Sequence, residues 1–177
     1  VSAGPRRRRL TGRLRVALPP AEAFRLFTPY GERDWVEGWE PRFPEGTEDD
    51  TAPGTVFQTH ADGANTTWIV LRREPGRSVS YVRVREGAHA GTVGVTLAPV
   101  PQGHSDVTVT YDLTPLTAAA EAELAGFAAG YPAFLRSWED AIAAHLARAA
   151  GALRGEGASG ESGRRRDSAR RPTGSRD

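Results

Sequence analysis

The side chains best suited to metal or proton chemistry are four histidines, His60, His89, His104 and His145, and the patterning around them puts them in four different elements. His60 and Asp62 form His-x-Asp, which on a strand sets both side chains on one face. A metal needs at least a third ligand. The chain has neither His-x-His nor His-Glu-x-x-His to supply it, so no metal and no other cofactor is expected. There is no cysteine, which excludes thiolate chemistry and disulfides, and no lysine, which excludes Schiff-base chemistry. Ser78, Ser80, Ser105 and Ser137 lack a Gly-x-Ser-x-Gly elbow, and Glu48, Asp49 and Asp50 cluster in a Pro/Gly-flanked stretch that reads as solvated charge. What remains is a set of hydrogen-bonding groups: Tyr81, Tyr111, Tyr131, His60, Arg83 and Arg136. Facing an apolar interior, a tyrosine or arginine of this set can hold an enolate by preorganised electrostatics. The competing reading is that the tyrosines are core residues with their hydroxyls at a wet edge.

These groups need elements to position them. Leu10 to Leu18 reads as a first strand, ended by Pro19-Pro20, after which AEAFRLFT makes a short helix with Phe24 and Phe27 on its apolar face. GERDWVEGW makes a second helical turn with Trp35 and Trp39 on one side. Between Pro53 and Leu113 the hydrophobic period becomes two. GTVFQTHA, TTWIVLRRE, SVSYVRVRE, GTVGVTLAPV and DVTVTYDL are five strands, joined by segments too short for crossover helices, hence an antiparallel meander. From Thr117 the period becomes helical, with Thr117 as N-cap and a stripe of Leu124, Phe127, Tyr131, Phe134, Trp138 and Ile142. Pro132 inside that stripe predicts a kink or break. This order is α+β, and the long helix is the only element big enough to cover the apolar face of the sheet. A twisted sheet curled around an aromatic stripe leaves room for a cavity.

Charge is unevenly spread. Residues 1–9 carry four arginines and no acid, residues 151–177 seven arginines against four acids, and the body twelve against eighteen. Low hydrophobicity predicts that 1–9 and 151–177 are disordered basic arms flanking one domain, 10–150. Arginine clusters attract phosphate, but no aromatic residue is interleaved to stack on bases, so nucleic-acid binding is not expected. VSAGPRRRRL leads into LTGRLRVAL, which lacks the apolar region of a signal peptide, and no apolar run is long enough for a membrane span; a cytoplasmic protein is the expectation.

The succession LPPAEAFRLFTPYGERDWVEGWEP, PGTVFQTHADGANTTWIVLRREPGRSVSYVRV, SDVTVTYDLTPLT and the aromatic terminal helix resembles the SRPBCC, or START/Bet v 1-like, superfamily over about residues 10–148. The resemblance implies a helix-grip fold: a curved antiparallel sheet of six to seven strands wrapped around a long C-terminal helix, with two short helices after strand 1. It implies an apolar tunnel for a lipid, quinone or polyketide-like ligand, as in polyketide cyclase and lipid-transport members. The chain reads PGTVF where the chaperone-activator branch carries paired glycines, and it has no cysteine for a Rieske cluster.

The leading expectation is therefore binding of a small hydrophobic or aromatic ligand between sheet and helix, by Trp35, Trp39, Phe57, His60, Trp68, Tyr81, Tyr111, Phe127, Tyr131 and Phe134. One alternative is a cyclase/aromatase-like enzyme. It turns on whether Tyr81 and Arg83, which share a strand face opposite Val82 and Val84, point inward. Another is a chaperone co-factor-like interaction module. Within the opening turn, Trp39 is expected to be the buried anchor and Trp35 the ligand neighbour, with Glu32, Asp34 and Glu37 in solvent.

Overall fold

The computed structural model describes residues 6–161, with side chains through Gly155. Its centre is one six-stranded antiparallel sheet in the order β1-β6-β5-β4-β3-β2. The strands are β1 (Arg8–Val16), β2 (Val56–Ala61), β3 (Ala64–Glu74), β4 (Ser78–Arg85), β5 (His89–Val100) and β6 (His104–Pro115). Period-two patterning explains the burial. Val107, Val109, Tyr111 and Leu113 of β6 are buried, while Thr108, Thr110 and Asp112 alternate with them at intermediate exposure. Asp62 and Gly63 both take positive φ, 52° and 71°, and close the β2–β3 hairpin in two residues, as the Asp-Gly pair demands. Asp62 is therefore a turn residue and shares no strand face with His60. A register shift between Val70 and Arg72 marks a bulge at which Leu71 faces solvent.

Between β1 and β2 lie the short helix α1 (Pro20–Ala23), which tightens into a 3-10 turn at Phe24–Phe27, and a second 3-10 turn at Gly31–Asp34. Ala23, Leu26 and Phe27 are buried there. The last element is helix α2 (Ala118–Glu161). Thr117 caps it as expected, its Oγ1 accepting the Ala120 N–H at 3.2 Å. The expected break at Pro132 is absent, for the helix runs through it unbroken. Pro132 removes one backbone hydrogen bond, and Tyr131 and Leu135, both buried against the sheet, hold the turns on either side. The stripe divides in two: Ala120, Leu124, Tyr131, Leu135 and Ile142 are buried, whereas Phe127, Phe134 and Trp138 are only half-buried. The close approach of α2 to β1 depends on Gly12, where a Cβ would lie 2.4 Å from Leu135 Cδ1.

Described structure reaches past both ends of the expected domain. Arg6 to Arg8, expected in a disordered arm, lie against the body because acids there hold them, and Arg9 is part of β1. Arg7 makes a bidentate pair with Asp112 at 2.5 and 2.7 Å, Arg8 pairs with Glu121 at 2.9 Å, and the Arg6 backbone N–H donates to Glu121 at 2.8 Å. The helix continues past residue 150 to Glu161, through part of the segment expected as a tail; residues 1–5 and 162–177 of the two arms lie outside the described residues. The chain divides into two compact units, Val1–Ala143 and Ala144–Asp177, of which the second is described as helix as far as Glu161. The site described next lies within the first.

Candidate functional site

The corner between α1 and the second 3-10 turn is built from hydrogen bonds. Thr28 Oγ1 donates to the Arg25 carbonyl at 2.9 Å and accepts the Gly31 N–H at 3.1 Å, while the Glu32 N–H donates to the Thr28 carbonyl at 3.0 Å. Only glycine fits at position 31, because a Cβ there would sit 1.6 Å from the Arg25 carbonyl oxygen. Both tryptophans of this segment serve the same stretch of backbone. Trp35 Nε1 donates to the Leu26 carbonyl at 2.7 Å and Trp39 Nε1 to the Pro29 carbonyl at 2.8 Å, using up acceptors that the short helix leaves free.

Their burial is the reverse of the expectation. Trp35 is the anchor, 8% exposed and edge-on to Phe27 and Trp138. Trp39 is half-buried, edge-on to Phe57 and Trp68, and lines a cavity that Trp35 does not reach. The indole N–H contacts decide this: Trp35 follows the 3-10 turn directly and swings back over Leu26, and Trp39 is carried four residues on towards β2 and β3.

That cavity has a volume of about 180 Å³. Seven rings line it, from Trp39, Phe57, Trp68, Tyr81, Tyr111, Phe134 and Trp138, together with Val36, Val93 and Val95. The charge-bearing side chains in its wall are Glu32 and Arg83. Tyr81 and Arg83 thus both face inward, the orientation on which the cyclase alternative turned. A second cavity, of about 260 Å³, shares Arg83, Tyr111 and Phe134 with the first and adds Arg85, His89, Leu113, Leu124, Phe127 and Glu123.

Of the ten expected ligand neighbours, Trp39, Phe57, Trp68, Tyr81, Tyr111 and Phe134 line the first cavity and Phe127 the second. Trp35, His60 and Tyr131 line neither. His60 is exposed and hydrogen-bonds Asn65 across the hairpin at 2.8 Å, since its position on β2 points away from the core. Tyr131 is turned to the sheet, its hydroxyl donating to the Val109 carbonyl at 2.7 Å. Arg136 is exposed on the outer side of α2. Glu32, expected in solvent, belongs to the site; its neighbours Asp34 and Glu37 are exposed as expected. Nothing in GERDWVEGW separates these three acids by type. Only the fixed Gly31 corner turns one of them inward.

The electrostatics follow from burial. Glu32 is only partly buried as a residue, but loss of water around its carboxyl pushes its pKa up to about 8, and no side chain ion-pairs with it among the described residues. At neutral pH it is a protonated donor. Burial, and then the nearby Glu32 and Asp50 charges, raise the Tyr81 phenol, whose hydroxyl is already committed to the Phe27 carbonyl at 2.9 Å. Tyr111 is also raised, first by burial, against the opposing pull of Arg83, and its hydroxyl has no protein partner among the described residues. Arg83 is lowered by burial and stands 5.3 Å from the centre of the Trp68 ring. Besides the committed Tyr81 hydroxyl, the polar groups of the cavity are thus a carboxyl that can give or take a proton, a phenol and the guanidinium of Arg83, whose Nη1 contacts His89 Nε2. Among the described residues no group of three or more His, Cys, Asp or Glu side chains is arranged to hold a metal ion.

An antiparallel sheet gripping a long helix, with an aromatic cavity between them, defines a helix-grip protein. The chain belongs to the family described as polyketide cyclase / dehydrase and lipid transport, whose profile matches residues 7–151. No curated protein matches the sequence. Among solved structures it is similar to protein MLL2253 of Mesorhizobium loti, with 22% identity and a TM-score of 0.56 over 80% of this chain and 98% of that one. It is also similar to CalU16 of Micromonospora echinospora, with 18% identity and a TM-score of 0.52 over 82% and 90%. DynU16, a protein of the dynemicin biosynthetic locus, matches at 19% identity and a TM-score of 0.53 over 75% of this chain and 46% of that one. At these identities the likeness is one of fold. No helix of the described residues is long and apolar enough to cross a membrane.

Proposed function

We propose that the protein binds a small aromatic ligand, of one or two fused rings, in the cavity between β2–β6 and α2. The observation that carries this is a space of about 180 Å³ walled by seven aromatic rings and interrupted by Glu32 and Arg83. A cavity of about 150 Å³ lined by apolar side chains is enough to hold benzene. Rings at edge-to-face angles around the opening, such as Trp39 on Trp68 at 66°, offer faces and edges for a further ring to join. The family description, which includes lipid transport, is in keeping with a carrier role. The test is titration with 1-naphthol, read by tryptophan fluorescence and by thermal unfolding. Saturable quenching and a Tm that climbs with ligand concentration are expected, and Val93→Phe, which fills the cavity, should remove both. A wild-type Tm unmoved by any one- or two-ring aromatic compound would reject the reading.

A second reading is favoured by Glu32. A carboxyl with a pKa of about 8, sharing a cavity with Arg83 and the free Tyr111 hydroxyl, suits proton removal next to a carbonyl, with the enolate oxygen held by Arg83. The cyclase and dehydrase part of the family description is consistent with that chemistry. Exchange of the α-hydrogens of 1-tetralone in heavy water tests it. The protein-dependent rate should rise as pH passes about 8, where Glu32 becomes a base, and should be lost in Glu32→Gln. Absence of protein-dependent exchange, with 1-naphthol still bound, would leave binding alone.

A further inference from the structure

The second cavity holds groups that a purely aromatic ligand leaves unused. Arg83 and Arg85 are two residues apart on β4, so their side chains leave the same face, and both line this cavity. Neither forms an ion pair among the described residues, although both are partly buried. The Arg83 Nη1 contacts His89 Nε2. His89 is buried, and loss of water, followed by the Arg83 and Arg85 charges, holds its pKa down to about 4, so the ring is neutral. Its Nε2 therefore accepts from Arg83 and its proton sits on Nδ1. That Nδ1 and the Arg83 Nε are buried and have no hydrogen-bond partner among the described residues. The corner thus contains two guanidinium groups and an imidazole N–H, all donors, and among the described residues the one acceptor that meets any of them is His89 Nε2, taken by Arg83 Nη1. The one acid in the wall, Glu123, is exposed on α2 and bonds to neither arginine. Buried cations and donors left unmatched are costly, and such an array is kept where something outside the chain completes it.

We propose that the second cavity is an anion subsite, which takes the carboxylate of an aromatic carboxylic acid between the guanidinium groups of Arg83 and Arg85. The aromatic body of the same molecule passes the shared wall at Tyr111 and Phe134 into the first cavity, so the inference rests on the ligand-binding reading above. Trp68, lying against the Arg83 guanidinium, keeps that group turned to the junction of the two cavities. Guanidinium groups suit this task because their fork of N–H donors matches the two oxygens of a carboxylate.

The test compares 2-naphthoate with its neutral isostere 2-naphthamide at pH 7, by tryptophan fluorescence and calorimetry. The carboxylate should bind at least about tenfold more tightly, as expected for charge-assisted hydrogen bonds. Arg85→Gln should weaken 2-naphthoate about tenfold while changing 2-naphthamide less than about twofold. Arg83→Gln should act in the same direction. Arg85 is on the cavity wall away from the Trp68 contact, so its variant keeps the test decisive should the Arg83 variant fold poorly. Equal affinities for the two compounds in the wild type would overturn the anion subsite and leave the aromatic cavity standing. So would an Arg85→Gln variant that weakens both compounds alike. If 1-naphthol, 2-naphthoate and 2-naphthamide all fail to bind, the ligand-binding reading falls and the subsite with it.

Discussion

At the scale of single residues, Glu32 carries the most information and was the least legible. Its sequence neighbourhood is charged, and a carboxylate beside arginine and aspartate reads as solvated surface. What turns it inward is the contact between Gly31 and the Arg25 carbonyl, a feature of three-dimensional closeness that no residue type announces. Its titration has a thermodynamic signature. The folded protein holds the Glu32 proton up to about pH 8, whereas the unfolded chain releases it near the ordinary value of 4.5. Between those values the folded state binds more protons than the unfolded state, so this group makes stability fall as pH rises. The contribution is nil below about pH 4.5 and reaches its full cost above about pH 8. Glu32→Gln removes it. Denaturant melts should show the variant and the wild type alike at pH 4.5 and the variant more stable by about 2–4 kcal/mol at pH 9. Parallel stability curves across that range would mean that the Glu32 carboxyl is hydrated.

At the scale of elements, most of the architecture could be read directly. The alternation in DVTVTYDL and SVSYVRV gave β6 and β4 because half-buried strands impose a period of two, and the steps of three and four after Thr117 gave α2 for the matching reason. The inward orientation of Tyr81 and Arg83 was left open by the same periodicity. Alternation separates two faces without saying which one the helix covers, and Val82 and Val84 are as apolar as a core face needs. The short segment after β1 was read less well. A 3-10 turn of four residues has no repeating pattern, so the split between Trp35 and Trp39 depends on which carbonyl each indole reaches. That turn predicts its own sensitivity. Gly31→Ala cannot keep the corner, because the added methyl would overlap the Arg25 carbonyl. The variant should lose about 2–4 kcal/mol in denaturant melts, and 1-naphthol affinity should fall with it. A variant that keeps wild-type stability would show that the corner can be rebuilt without glycine.

At the scale of the molecule, the cavity wall and the closed core are divided between two sets of aromatic residues in the first unit. One set, with Trp35 and Tyr131, is buried and closes the core. The other, with Trp39, Phe57, Trp68 and Phe134, surrounds open volume, Trp39 standing edge-on to Phe57 and Trp68. Composition alone cannot make that division, since both sets look the same in a list of ring residues. The arginine-rich start shows the same dependence on context: Arg6 to Arg8 are held because Asp112 and Glu121 lie opposite them. The measurement that tests the division most directly is 1-naphthol titration of Trp35→Ala beside Trp39→Ala, with the stability of each variant measured in the same buffer. Trp35→Ala should cost about 3–5 kcal/mol of stability, with naphthol affinity reduced less than about threefold in the folded fraction. Trp39→Ala should cost about 1–2 kcal/mol and weaken naphthol at least about tenfold. The opposite pattern, with Trp39→Ala the more destabilising and Trp35→Ala the one that loses the ligand, would contradict the account.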